Sequence, residues 1–247
     1  MALRSKGAGH GVSRRNPSAF SQYRALLLKD LRQEIRTREM LTSMAVYALL
    51  VLTIYGAALA QVGDRIQVVS FAGGLLWALI VFTSLLGLNR SFGHEVESGC
   101  LEGILLAPVD RALIFLAKAT SNLIFLIAVE LLVVPLFFLF FLSGVELAAT
   151  TPLIVVPLAI GTLGVSGVGT LLSTMTIDTR GRDVLLAILF IPLAFPLLYA
   201  CVSATTTAFL GVAGTFGGFW TSCAVAAAYD AIMIAAAWGL YEFVVDV

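Results

Sequence analysis

Residues 119–142 read ATSNLIFLIAVELLVVPLFFLFFL, with one charge, Glu130, and no alternation of polar and apolar positions. A helix of that length rises about 36 Å at 1.5 Å per residue. That is enough to cross a bilayer core of about 30 Å. A membrane strand would alternate, so the continuous run argues for a helix and against a β-barrel.

The rest of the chain has the same character. Of 247 residues, 60% are apolar and only 12% are charged, and mean hydropathy is +0.99. A soluble domain carries about 25% charge, and 30 charged side chains could not screen this much apolar surface from water. The composition excludes a soluble enzyme and a disordered chain. Zero net charge leaves no basic surface for nucleic acid. Five further runs qualify as spans, so the six are 41–60, 68–88, 119–142, 153–175, 184–204 and 219–241. The stretch 205–218 between the last two is weakly polar and reads as an outside loop with a re-entrant turn.

Orientation follows from the cations. Nine Lys and Arg residues precede the first span; Arg90, Arg111 and Lys118 lie between spans two and three, and Arg180 and Arg182 between spans four and five. Fourteen of the fifteen therefore share one side, and only Arg65 lies opposite. That asymmetry supports six spans with both termini cytoplasmic. Residues 1–19, with the run GAGHGVSRRNPS, read as a disordered basic tail. Arg14-Arg15 has a faint twin-arginine look, but no apolar signal region follows it. Over 20–39, Phe20, Tyr23, Leu27, Leu31 and Ile35 recur at helical spacing, with charges between them. This is an amphipathic helix for the inner interface, an anchor more than a moving elbow.

Two carboxylates fall near mid-span, Glu130 and Asp230. An ionised group there costs about 2.5–3.5 kcal/mol on insertion scales. No cation shares their depth, which leaves protonation, a hydrated cavity, or one proton shared between the two. The functional reading is a polar patch that contacts substrate or partner; the plain one is a carboxyl bonded to a neighbouring helix. His10 and His94 lie outside the spans, which excludes a histidine-based haem or metal site within them. Cys201 and Cys223 read as small fillers, and with Cys100 they form no Cys-x-x-Cys pair. Gly161, Gly164, Gly167 and Gly169 read as close helix packing. Pro135, Pro157, Pro192 and Pro196 interrupt spans. None of Lys6, Lys29 and Lys118 sits in a Walker A loop, so the chain carries no P-loop of its own. No span offers a nucleophile–base pair, so an enzyme is disfavoured.

The loop 89–118 carries the most information. Glu95, Glu97 and Glu102 flank Gly99, and Leu101, Ile104, Leu105 and Leu106 form an apolar ridge ending at Pro108. It reads as two short helices joined at Gly99 and lying across the membrane face. Three acids sit poorly beside an anionic leaflet, which favours a protein partner. The spacing Glu95, Glu97, Gly99, Glu102, Leu105, Pro108, then Lys118, resembles the inner loop of ABC-2-type permeases. The run GLNRSFGHEVESGCLEGILLAPVDRALIFLAK (87–118) and the run VLLAILFIPLAFPLL (184–198) resemble the CcmB family, the permease B subunit of the cytochrome c maturation system. The likeness runs from Tyr23 to the sixth span. Cys100 stands where that family more often has a small or hydroxyl residue.

The resemblance implies an all-α polytopic permease whose 89–118 loop is a coupling helix, docked on a separate CcmA-like ATPase subunit that holds the ATP. It also implies a CcmC-like haem-handling membrane subunit, a small membrane subunit and a periplasmic CcmE-like haem chaperone. The chain itself would bind no cofactor, and haem would be handled by the complex. No role passes from the family to Glu130 or Asp230. Two rivals stand beside this reading. One is an ABC-2 exporter of a lipid, drug or glycan, for which the outside loops, about 7, 10 and 14 residues, are short. The other is a proton- or ion-coupled transporter using Glu130 and Asp230.

Overall fold

The structure, a computed structural model, describes the backbone of residues 18–60, 65–97, 111–143, 149–176, 179, 181–211 and 216–244. Among these no strand occurs. The helices are α1 (Ala19–Thr37), α2 (Glu39–Leu59), α3 (Arg65–Glu97), α4 (Arg111–Phe137), α5 (Val155–Met175), α6 (Arg182–Leu210) and α7 (Phe216–Val244). A π-helical turn, Phe138–Leu142, extends α4, and a 3₁₀ turn, Thr151–Ile154, leads into α5. Six of these segments are long and apolar enough to cross a membrane, and α1 is not among them. They coincide with the six expected spans, so this is a multi-pass membrane protein.

α3 and α5 form the centre. α5 packs on α3, α4, α6 and α7, while α2 covers α3 and α4. Close approach depends on missing side chains, as small-residue packing in lipid requires. Trp77 of α3 lies against Gly161, where a Cβ would stand 2.0 Å from its ring, and its indole N–H donates to Thr205 of α6 at 2.9 Å. Leu88 occupies the corresponding notch at Gly169, where a Cβ would lie 2.2 Å away. The glycines of span four therefore serve packing, as their spacing suggested.

Three expectations need correction. The expected loop 205–218 begins only after Leu210, because α6 runs on through 205–210 and ends at Gly211 in a left-handed cap. Residues 205–210 thus hold no re-entrant turn, and 212–215 lie outside the described residues. The first of the two short helices expected in 89–118 is not separate. α3 continues unbroken to Glu97, about 9 Å past Ser91 at 1.5 Å per residue. Finally, only the middle of the expected α1 stripe turns inward: Tyr23, Leu27 and Leu31 are half-buried, Phe20 and Ile35 are exposed, and a charged residue, Glu34, is buried on the same face. The basic tail lies outside the described residues, apart from Ser18 and Ala19. Ser18 caps α1 by accepting from the Ser21 N–H.

Candidate functional site: the charged end of the bundle

The starts of α2, α4 and α6 and the end of α3 meet at one end of the bundle, with α1 laid across it. They enclose a crevice of about 460 Å³ whose lining includes Asp30, Glu34, Arg90, Lys118, Phe125 and Arg182. Arg90, Lys118 and Arg182 come from three elements, and the charge count had placed them on one side. At the mouth, Arg90 Nη1 donates to Glu39 Oε1 at 2.8 Å, and both side chains are well exposed.

Deeper in, α1 is fastened to α4. Lys118 Nζ lies 3.0 Å from Asp30 Oδ2, with the two side chains only 8% and 9% exposed. The Ser121 hydroxyl donates to the same carboxylate at 3.1 Å, and Tyr23 donates to Thr120 at 3.0 Å. A buried carboxylate needs this kind of pairing and hydrogen bonding to be tolerated. Sequence reading grouped Lys118 with Arg90 and Arg182 on one side but did not single out Asp30, one of the charges between the apolar positions of 20–39. The signal was present: Asp30 and Glu34 are four apart, on one face with Tyr23 and Leu27.

Glu34 explains the joint between α1 and α2. The chain turns at Arg38, a left-handed residue at φ 54°, whose N–H donates to the Glu34 carbonyl at 2.7 Å. The Glu34 carboxylate then accepts the Leu41 N–H at 2.8 Å. It therefore caps the first turn of α2, where a negative charge also meets the helix dipole favourably.

A polar seam runs inward from this end between α4 and α5. Ser166 donates to the Ala119 carbonyl at 2.7 Å, Asn122 to Thr170 at 3.0 Å, and Thr162 to Glu130 Oε1 at 2.6 Å. Glu130 is thus the innermost rung. Asp230 lies elsewhere. It is 3% exposed, neither oxygen has a hydrogen-bond partner among the described residues, and Oδ1 lies where a Cβ on Gly164 would stand, 2.0 Å from it. Thr162 and Gly164 are two residues apart on α5, about 200° around the helix. The two carboxylates therefore face opposite sides of α5, and a shared proton has no geometry to support it. On α6, Tyr229 of α7 donates to the Leu193 carbonyl, between Pro192 and Pro196.

Of the expected coupling residues, Glu95 and Glu97 end α3, and only their backbone is described. Gly99, Glu102, Leu105 and Pro108 lie outside the described residues, as does Cys100. Cys201 and Cys223 are buried and unbridged. Among the described residues, no three of His, Cys, Asp and Glu converge to hold a metal.

Residues 21–238 match the CcmB protein family. This chain belongs to the CcmB family. Its fold is accordingly that of an ABC-2-type permease. Among similar proteins, heme exporter protein B of Pseudomonas aeruginosa is 27% identical over 215 residues, covering 87% of this chain and 94% of that protein. Heme exporter protein B of Rhodobacter capsulatus is 30% identical over 178 residues, 71% of this chain and 78% of that one. The Paracoccus denitrificans protein of the same name is 28% identical over 176 residues, again 71% and 78%.

Proposed function

We propose that this CcmB-family chain is the membrane permease subunit of a haem-export complex serving cytochrome c maturation, worked by a separate ATPase subunit. The family match over 21–238 carries the first half of that reading. The second half rests on the absence of a P-loop in the sequence and on the build of the charged end. α3 and α4 bracket residues 98–110, and the Lys118–Asp30 pair ties the root of that stretch to α1.

The basic end faces the cytoplasm of a bacterial inner membrane, following the positive-inside bias. The ATPase subunit, carrying the ATP, docks on 95–108. Its closure displaces α3 and α4, and α1 moves with α4 because a buried ion pair joins them. The motion reaches the far side through the glycine-notched contacts of α3 and α5. A haem-handling membrane subunit, a small membrane subunit and a periplasmic haem chaperone complete the complex. This chain acts as a lever whose coupling joins two distant surfaces.

The test is co-purification. Glu97→Lys combined with Glu102→Lys is expected to release the ATPase subunit while the permease stays in the membrane. A complex that survives both reversals overturns the docking assignment.

A further inference from the structure

The charged crevice holds more bonding capacity than its own pairings engage. Its lining carries three cations, Arg90, Lys118 and Arg182, and four carboxylates, Asp30, Glu34, Glu39 and Asp183. The deep groups are committed to the fold: Asp30 to Lys118 and Ser121, and Glu34 to the Leu41 N–H. The other four stand at the mouth. Arg90 donates through Nη1 to Glu39, and Arg182 through Nε to Asp183 at 3.4 Å. A guanidinium has five N–H donors and a carboxylate about four acceptor sites. Each pair therefore keeps donors and acceptors for a ligand, and the side chains of Glu39 and Asp183 are 68% and 66% exposed.

The height of these groups is specific. Glu39 opens the first span, Ser91 closes the second directly after Arg90, and Arg182 opens the fifth. All four thus lie where apolar helix gives way to water, at the level of lipid headgroups. Deeper along the same walls the lining turns apolar, with Met40, Leu86 and Phe125. One turn further into the membrane from Leu86, Phe82 is 49% exposed, so an acyl chain following α3 meets apolar surface. A space of about 460 Å³ with a charged mouth and apolar inner walls suits a phospholipid headgroup better than a soluble ester.

The charges also select the headgroup. At the mouth two cations and two acids sum to zero, and each cation sits beside an acid. A net anionic headgroup would meet Glu39 and Asp183 as like charges. A phosphate joined by a short link to an ammonium matches both signs, with its phosphate oxygens toward Arg90 and Arg182 and its ammonium toward Glu39 and Asp183. An ammonium brings three N–H donors to those acids, whereas a trimethylammonium brings none.

We propose that the crevice binds the phosphoethanolamine headgroup of a zwitterionic phospholipid from the leaflet on the charged side. The inference needs only that the helices span a membrane, and it stands or falls apart from haem and the ATPase subunit.

The test titrates the purified full chain, stripped of lipid, with dioleoyl phosphatidylethanolamine, phosphatidylcholine and phosphatidylglycerol, and counts bound lipid by native mass spectrometry. The ethanolamine lipid should bind about tenfold more tightly than either of the others, the size expected of one charge-assisted hydrogen bond. Arg90→Gln with Arg182→Gln should lower its affinity to that of the other two. Arg90→Lys with Arg182→Lys keeps the charge and should retain most of the preference; Arg90→Gln alone, with a partial loss, serves if the glutamine pair fails to accumulate. Glu39→Gln with Asp183→Asn should act differently. It should make ethanolamine and choline lipids equal and strengthen binding of the glycerol lipid, because the like charges have gone. Soluble phosphoethanolamine should not displace bound lipid at equal concentration; displacement would assign the site to a soluble phosphate ester and overturn the lipid assignment. Equal binding of ethanolamine and choline lipids by the unaltered chain, or a preference that survives both the glutamine pair and the Glu39–Asp183 pair of substitutions, overturns the proposal.

Discussion

Asp30 and Asp230 are both buried carboxylates, yet the two regions that hold them tolerate the group by opposite means. At the charged end, Asp30 is matched by charge and hydroxyl: Lys118 at 3.0 Å and Ser121 at 3.1 Å. In the middle of the bundle, Asp230 is matched only by space, the missing side chain of Gly164, and both its oxygens lack partners. The first arrangement binds two helices together. The second lets two helices approach without joining them. The lever proposed above would use both: a fastening at the end that is pushed and a sliding contact further along.

Breaking the fastening should give the largest effect. Asp30→Ala leaves Lys118 buried without that carboxylate, a loss of about 3–5 kcal/mol by analogy with severed buried pairs. Unfolding by SDS titration or steric trapping would measure it. Lys118→Met, which removes the cation but keeps the apolar stem, should cost less than Lys118→Ala, since the stem also packs. If Asp30→Ala costs less than about 1 kcal/mol, the pair behaves like an exposed one and α1 is not fastened to α4.

The sliding contact is tested next by filling its notch. Gly164→Ala would place a Cβ 2.0 Å from Asp230 Oδ1 and 2.5 Å from a Leu197 methyl. Overpacking of this kind costs roughly 1–3 kcal/mol. In an Asp230→Ala background the cost should fall by about half or more, because one of the two clashing groups has gone and neighbouring substitutions couple. Equal costs in both backgrounds would show that the carboxyl does not occupy the notch.

The two regions differ just as much in how far the sequence reveals them. Apolar runs of twenty or more residues admit few alternatives, so the six spans were legible, and the sharing of cations correctly grouped Arg90, Lys118 and Arg182. Helix ends were harder. Thr205, Thr206 and Thr207 look like loop residues, yet Thr205 is buried against Trp77 and Thr207 bonds back to the Ser203 carbonyl, so α6 continues. Asp30 was missed because its partner lies 88 positions away, and a single helix pattern cannot say which charges turn inward. Glu130 and Asp230 were both visible as costly residues. Their neighbours were not, because hydroxyl and glycine placement around α5 depends on how three other helices pack.

The smallest predicted effect is also the one that separates the two mid-bundle carboxylates. The same substitution, to alanine, should shift stability in opposite directions. Asp230→Ala removes a buried acceptor that nothing satisfies and puts a better helix former into α7, a gain of about 1 kcal/mol. Glu130→Ala removes the bond from Thr162, whose hydroxyl also reaches the Leu158 carbonyl at 2.8 Å and so stays satisfied. The loss should therefore be only that of an average interhelical hydrogen bond in a membrane, about 0.6 kcal/mol. Glu130→Gln should lie between wild type and Glu130→Ala, since a carboxamide can still meet the hydroxyl. Opposite signs would show that a carboxyl's neighbours, rather than its depth, set its energetic role here. A loss at Asp230 as large as the one at Glu130 would mean that Asp230 has a partner, and that α5 and α7 are joined where the geometry shows them only in contact.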